Sequence, residues 1–389
     1  MNELLFRSSR DIIVRDELEK KLKSGQALRI KYGIDPTGSR IHIGHAATMR
    51  KLKHFQDEGH QVVLIIGSFT GRIGDASDKD SERQLLTTEE VKANMKGYEQ
   101  HLSRIFDLSK VEFHYNHEWF EDMQLDEWMR INQLFSVAQM IERDNFSKRF
   151  KAESRIGLQE FQYPLLQGYD SVAVRADVEI GGTDQLFNLL AGRTIQKNYG
   201  QDPQHIITYE LLQSDDGRKM SKSWANCIWI DDEPNDMYGK VMRINDDLIM
   251  HYFELCTDLS GEEIEVLRSQ LEDTNPKEVK ARLAKEIVSI YHGEESSEAA
   301  AAAFDSQFSK GELPEDITEV KLDSGKWDLP QLLLETELVS SKSEARRLIQ
   351  QGGVKLDGRK LTDDNVELTN GVVLQAGKRR FVRIRLTEE

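Results

Sequence analysis

Two stretches carry side chains whose types and spacing suit chemistry on phosphate. "IHIGH" (residues 41–45) sets His42 and His45 three residues apart around Gly44, and "DDGRKMSKS" (residues 215–223) sets Lys219 and Lys222 three apart, near Gly217. The histidine pair admits three readings. It can cap or pack at a helix start. It can begin a metal site, but His-x-x-His then needs a third ligand, and no candidate stands nearby. It can also donate hydrogen bonds to an anion. Where a strand's C-terminal loop feeds a helix, backbone N–H groups and the helix dipole favour negative charge. Gly44 lets a ligand approach the backbone, and an imidazole donates in either protonation state. The lysine pair alone reads as a solvated basic loop. Opposite a phosphate site it can cradle a triphosphate and move as charge develops.

The flanking residues predict the elements that hold these groups. "LRIKYGI" (residues 28–34) alternates, with Leu28, Ile30, Tyr32 and Ile34 on one face, and the turn-rich "DPTGSR" follows. Ala46, Met49, Leu52 and Phe55 then recur at helical spacing, with Gly59 as the stop. "QVVLIIG" (residues 61–67) is a continuous apolar run, as in a strand buried on both faces. Strand, helix and strand make a βαβ unit. The same style returns at "ADVEIGG" and "HIITYELL", so the expected class is α/β with a parallel, doubly wound sheet. Residues from about 107 to 160 read as a helical insertion. Residues 226–308 read as helical, the alanine run 299–303 included. Residues 309–327 read as a polar linker, and 328–389 as a helix with short strands.

Composition narrows the class further. A chain of 389 residues, 38% hydrophobic and 31% charged, fits a soluble globular protein of two or three domains. No apolar run approaches the roughly 18 residues that span a bilayer. The first 25 residues mix both charge signs and lack a secretory apolar core, so a cytoplasmic location is expected. Cys227 and Cys256 form no C-x-x-C pair, which argues against a disulfide framework and a cysteine zinc site. The net charge of −16 is uneven: residues 326–389 hold 12 Lys+Arg against 10 Asp+Glu. A tail of +2 on a body of −18, with five basic residues in "KRRFVRIR", predicts a local contact with a polyanion.

Together, "HIGH" and "KMSKS" are similar to the signature pair of class I aminoacyl-tRNA synthetases. Further segments narrow the resemblance to the tyrosyl-tRNA synthetase family, in its bacterial branch. "YPLLQGYD" (residues 163–170) resembles the family's Tyr-x-x-x-Gln-x-x-Asp, "GGTDQ" (181–185) its GG(S/T)DQ, "GIDPT" (33–37) its GFDPT, and "GDASDKDSER" (74–83) its GDPSGKxSER. "SSKSEARRLIQQGGVKLDGRKL" looks like an S4 RNA-binding module. The resemblance covers essentially the whole chain. It implies a Rossmann-type catalytic domain over 1–225, a helical domain over 226–308 and an S4 domain over 328–389. It implies activation of L-tyrosine by ATP with Mg2+, then transfer to tRNA, with no structural metal. It also implies a homodimer, with the helical insertion as the interface.

The resemblance also assigns residues. Asp170 would accept from the tyrosine hydroxyl; Tyr163, Asp75 and Gln167 would hold the α-ammonium. Gln185 would face the carboxylate, and Gly33 belongs to the same pocket. Gly182 and Asp184 would meet the ribose, and Asp35, Thr37 and Gly44 the nucleotide. His42, His45, Lys219, Met220, Ser221 and Lys222 would meet ATP, with Lys79 and Arg83 reaching its phosphates from a loop. Arg346, Arg347, Lys355, Arg359 and Lys360 would contact tRNA, where phosphate and shape dominate. A carboxylate nucleophile is ionised at neutral pH and needs no general base, so catalysis should rest on positioning and charge stabilisation. Three departures stand out. Where the family's best-known members carry a tyrosine that touches the substrate hydroxyl, this chain has Lys31. Alternation puts Lys31 on the face of Gly33 and Asp35 and turns Tyr32 to the core. Ala76 and Asp78 replace a usual proline and glycine. A tryptophanyl relative should lack the S4 tail and the Tyr-x-x-x-Gln-x-x-Asp run. A nucleotidyltransferase with HxGH would need neither GGTDQ nor S4, and a non-catalytic RNA-binding paralogue would not need intact HIGH, KMSKS and Asp170.

Overall fold

A six-stranded sheet organises the N-terminal three quarters of the chain. Its strands are β1 (Ser9–Ile13), β2 (Arg29–Ile34), β3 (Gln61–Ile66), β4 (Val111–Tyr115), β5 (Val178–Gly182) and β6 (His205–Tyr209). They lie in the order β1-β6-β5-β2-β3-β4. The structure, a computed structural model, describes residues 3–36, 38–75, 86–96, 98–215, 217–220, 226–273, 275–309, 317–336, 338–339, 341–350, 352–361, 365–377 and 380–386. Ladders from β6 through β5, β2 and β3 to β4 are parallel, in line with the α/β class. The edge strand β1 is antiparallel to β6, which the sequence does not announce.

The βαβ unit forms where the pattern placed it. Helix α1 (Ile43–Asp57) joins β2 to β3, and Ala46, Met49, Leu52 and Phe55 are each at most 1% exposed. Val62 to Ile65 are buried on both faces of β3. Two further helices cover the sheet near its centre, α2 (Leu158–Ala173) and α3 (Leu186–Asn198). A Cβ on Gly168 would stand 3.0 Å from the α3 backbone, so the two helices can approach this closely only at a glycine.

Two expected boundaries read differently. The stretch taken as an all-helical insertion contains β4, whose Val111–Tyr115 pair with Val62–Ile66 of β3. A five-residue strand flanked by helical patterns is set by its partner strand rather than by its own periodicity. The expected boundary at 225/226 lies inside one compact unit, Met1–Phe304. Met237, Val241, Ile249, Phe253, Leu283 and Ile287 of the later helices share a single apolar cluster with Leu28, Ile30, Leu52 and Phe55.

The second unit is Asp305–Glu389. Its strands are β7 (Glu319–Leu322), β8 (Lys326–Asp328), β9 (Val354–Leu356), β10 (Arg359–Lys360), β11 (Asn365–Glu367), β12 (Val373–Ala376) and β13 (Arg380–Leu386). Five of them form a sheet in the order β10-β9-β12-β13-β7, with helices Leu329–Glu335 and Lys342–Gln350. It has its own core, including Leu332, Leu333, Val354, Leu374 and Ile384. Residues 310–316 of the expected linker lie outside the described residues, and the remainder is not all linker: β7 pairs with β13.

Candidate active site

The C-terminal ends of the parallel strands open on one cavity of about 300 Å³. Binding at that edge is the general rule for open α/β sheets. Strand β2 carries Gly33 and leads to Asp35, β3 leads to Gly67 and Thr70, β5 ends in Gly181 and Gly182, and β6 leads to Leu211 and Leu212; all line the cavity. The tyrosine set (Gly33, Asp75, Tyr163, Gln167, Asp170, Gln185) lines it as well. So do Asp35, His42, Gly44, His45, Gly182, Asp184, Lys219 and Met220 of the nucleotide set. Thr37, Lys79, Arg83, Ser221 and Lys222 lie outside the described residues, as do Ala76 and Asp78.

His42 is the N-cap of α1, its Nδ1 accepting from the backbone N–H of His45 at 3.3 Å. The capping reading and the ligand reading are therefore compatible. A neutral ring that accepts at Nδ1 carries its proton on Nε2, as a donor. The two imidazoles stack with centroids 3.9 Å apart. Gly44 makes the stack fit, since a Cβ there would lie 3.0 Å from Nδ1 of His42.

The start of the lysine motif is a hairpin. Gln213 bridges Lys219, Ser214 accepts from Gly217 N–H at 2.9 Å, and Met220 N–H donates to Leu212 O at 2.9 Å. Gly217, at φ +73°, occupies the left-handed turn position. Lys219 Nζ meets Asp184 Oδ2 at 2.9 Å, so the expected phosphate group and the expected ribose group are already side by side.

At the other end, α2 presents Tyr163, Gln167 and Asp170 at a spacing of four and three, one helix face. The Tyr163 hydroxyl donates to Asp35 Oδ2 at 2.9 Å, and Thr70 Oγ1 donates to Asp35 Oδ1 at 2.8 Å. Burial and the carboxylates of Asp35 and Asp75 push the Tyr163 phenol far above its usual range, so it stays a donor. Gln185 Nε2 donates to Asp75 at 2.7 Å, and Asn188 Nδ2 bridges Gln167 and Gln185 at 3.0 Å each. Asp170 is 3% exposed and accepts from Trp119 Nε1 at 3.0 Å and Asn116 Nδ2 at 3.4 Å. Burial pushes its carboxyl up to about 7, against the pull of Lys31 and these two donors.

The sequence reading missed Asn116 and Trp119. They follow β4 in a stretch read as helix, and nothing in their spacing ties them to Asp170, 51 to 54 residues on. Tyr32 packs on the main apolar cluster as alternation requires, but it also borders the cavity. Lys31 is fully buried and turns to α2 and β5 rather than lining the cavity. In the second unit, Arg346 and Arg347 sit exposed on the helix Lys342–Gln350. Lys355 and Lys360 are exposed register partners on β9 and β10, with Arg359 beside them.

The sheet, the HIGH and KMSKS motifs and a carboxylate-floored cavity define a class I aminoacyl-tRNA synthetase, and the comparisons agree. The family of tRNA synthetases class I (W and Y) matches residues 23–309, and the tyrosine–tRNA ligase SYY-like C-terminal domain matches 308–385. A tyrosine–tRNA ligase of Desulfotalea psychrophila is 46% identical over 98% of this chain and 97% of its own. One from Thermotoga maritima is 45% identical over 98% of this chain and 96% of its own. A solved, C-terminally truncated mitochondrial tyrosyl-tRNA synthetase of Aspergillus nidulans shares the fold with a TM-score of 0.64 at 23% identity, covering 78% of this chain and 92% of that one. The chain belongs to the tyrosine–tRNA ligase family.

Proposed function

We propose that the cavity is where this ligase joins tyrosine to ATP as tyrosyl-adenylate, with Asp170 at the phenol end and His42, His45 and Lys219 at the phosphate end. One observation carries the reading: a buried carboxylate and a histidine–lysine phosphate set line the same cavity. Asp170 accepts the substrate phenol. Tyr163 donates its own proton to Asp35, which leaves its oxygen lone pairs for the substrate ammonium, beside Asp75 and Gln167. Gln185 lies on the carboxylate side; Gly182 and Asp184 take the ribose, and Asp35 and Thr37 the nucleotide. ATP enters as its magnesium complex. The tyrosine carboxylate attacks the α-phosphorus and pyrophosphate leaves. No protein proton needs to move, so His42, His45, Lys219, Lys222, Lys79 and Arg83 act by stabilising charge on the phosphates. The second unit, with Arg346, Arg347, Lys355, Arg359 and Lys360, is the S4-type tRNA contact. Tyrosine-dependent ATP–pyrophosphate exchange without tRNA tests the reading. Exchange supported equally by tryptophan, or none with tyrosine, would overturn it.

The ligase works as a homodimer in the cytoplasm. Support for the dimer comes from Leu125, Met129, Val137, Phe150 and Leu158, all more than half exposed on the insertion helices and the start of α2. These are the apolar side chains that a symmetric interface with a second copy of the chain would bury. Among the described residues no helix is long and apolar enough to cross a membrane.

A further inference from the structure

Two charged residues sit where the sheet should be apolar. Lys31 of β2 and Glu179 of β5 are register partners on neighbouring strands. Their side chains are 0% and 1% exposed, and Lys31 Nζ lies 2.8 Å from Glu179 Oε1. Lys31 Nζ also donates to Gln167 O at 2.8 Å and to Ser171 Oγ at 2.7 Å. Glu179 accepts from Ser171 Oγ at 3.1 Å, Gln167 Nε2 at 3.2 Å and Gln204 Nε2. A Cβ on Gly192 would stand 2.6 Å from Gln204 Nε2 and 3.0 Å from Ser171 Oγ, so a glycine keeps room for the cluster. Such a pair is a poor way to gain stability, because well-packed apolar residues of similar volume often do as well or better. What it does gain is a grip on the 167–171 turn of α2. That turn carries both Gln167 and Asp170.

We propose that Lys31 and Glu179 are a positioning pair for amino-acid recognition: they fasten the 167–171 turn and set the electric field in which Asp170 meets the substrate phenol. This rests on the reading of Asp170 as the phenol acceptor. Lys31 acts from behind the helix, through Asp170 rather than on the substrate. Among the described residues, the charged and titratable groups facing Asp170 are Lys31 from β2, Glu179 from β5 and the Tyr163 phenol from its own helix. Asn116 and Trp119, after β4, are neutral donors. Lys31 favours the carboxylate form of Asp170 and Glu179 opposes it. Only the carboxylate form accepts the phenol proton without competing as a donor.

The test is the ratio of kcat/KM for tyrosine to that for phenylalanine in pyrophosphate exchange, followed from about pH 5.5 to 9. The ratio cancels titrations common to both substrates. In the unsubstituted enzyme it should rise through a midpoint where Asp170 ionises, about 7. Lys31→Gln keeps a hydrogen-bonding group but removes the charge, and should move the midpoint up by roughly 1–3 pH units. Lys31→Gln/Glu179→Gln removes the opposing charge as well, and its midpoint should fall between the other two. A structural role alone predicts the reverse order, with the double variant the more disturbed. An unmoved midpoint in both variants, or a double variant displaced as far as the single, overturns the proposal. If Lys31→Gln does not fold, the double variant decides alone, since an unmoved midpoint is fatal there too. Asp170→Asn separates the two layers. A ratio that is flat with pH in the unsubstituted enzyme and kept in Asp170→Asn removes Asp170 as the phenol acceptor. A ratio that titrates, vanishes in Asp170→Asn and ignores Lys31 removes only the proposal.

Discussion

Asp170→Asn perturbs the floor of the cavity without changing its shape. Trp119 Nε1 donates to one carboxylate oxygen at 3.0 Å and Asn116 Nδ2 to the other at 3.4 Å, so the single amide oxygen of the variant keeps one of the two donors. What is lost is an ionised acceptor for the substrate phenol. A hydrogen bond to a charged group contributes about 1.5–3 kcal/mol, so kcat/KM for tyrosine should fall about 10- to 150-fold. Phenylalanine behaves differently. In the unsubstituted enzyme it strands a buried carboxylate, which costs more than stranding a neutral amide. Its kcat/KM should therefore fall little or rise. Discrimination by a buried polar group deprived of its partner has the tyrosyl enzymes against phenylalanine as its standard worked case. The assay is pyrophosphate exchange with each amino acid at saturating ATP. If Asp170→Asn kept the full tyrosine-to-phenylalanine ratio, the hydroxyl is read elsewhere and the role assigned to this residue fails.

His45→Ala should lower the activation rate about 10²- to 10³-fold while leaving tyrosine affinity unchanged, as loss of one oxyanion-type donor does; pre-steady-state adenylate formation and equilibrium tyrosine binding separate the two. His45 is the better probe, because His42→Ala would also remove an N-cap. Glu160→Ala would take from Arg149, 3% exposed, the carboxylate that meets its guanidinium through both oxygens, and so break a buried ion pair. The cost should be about 3–5 kcal/mol, read from denaturant midpoints, and an effect under 1 kcal/mol would refute it. A chain ending after Ser309 should still make tyrosyl-adenylate but charge tRNA poorly, and the steep salt dependence of charging in the full chain should flatten with the loss. Met129→Asp, on an exposed insertion-helix position, should give monomers in sedimentation, where an unchanged dimer would place the interface elsewhere.

The parts of the fold that repeat a local rule were legible. Residues 28–34 alternate and contain β2, 62–66 are apolar throughout and make up most of β3, and the four helix positions named between them are all buried. The candidate site was legible because its residues come in short motifs that each stay on one strand end or helix face. What was not legible depends on partners distant in sequence. β4 is a strand because β3 lies beside it, and β1 closes the edge against β6. Asn116 and Trp119 reach Asp170 only after the chain has folded back. Lys31 was visible as a departure, but its partner Glu179 was not. An acid inside "ADVEIGG" breaks the apolar strand pattern, and that breach was the available signal.

The join between the histidine and lysine motifs shows why the cavity needs the whole first unit. Ile43 N–H donates to Ile228 O at 2.9 Å and Ile230 N–H to Ile41 O at 3.1 Å, so the segment after KMSKS is stitched antiparallel to the HIGH segment, with His42 opposite Trp229. The Arg40 guanidinium lies 4.7 Å from the Trp229 ring and bonds Asp231 and Asp232, and Asp232 in turn accepts from Trp229 N–H at 2.8 Å and Lys240 Nζ at 2.7 Å. On the other limb, Asp215 holds Asn245 by two bonds and Gln213 O accepts from the Tyr252 hydroxyl at 2.9 Å. Both limbs of the lysine motif are therefore anchored, one to the histidine motif and one to the helices that follow it. Backbone hydrogen bonds and partly exposed ion pairs thus tie the segments around the histidines and Lys219 to one another. The proposed catalysis by positioning would require that these groups be set before the nucleotide arrives. The helices after residue 226 share the sheet's apolar cluster because they hold one side of that arrangement in place.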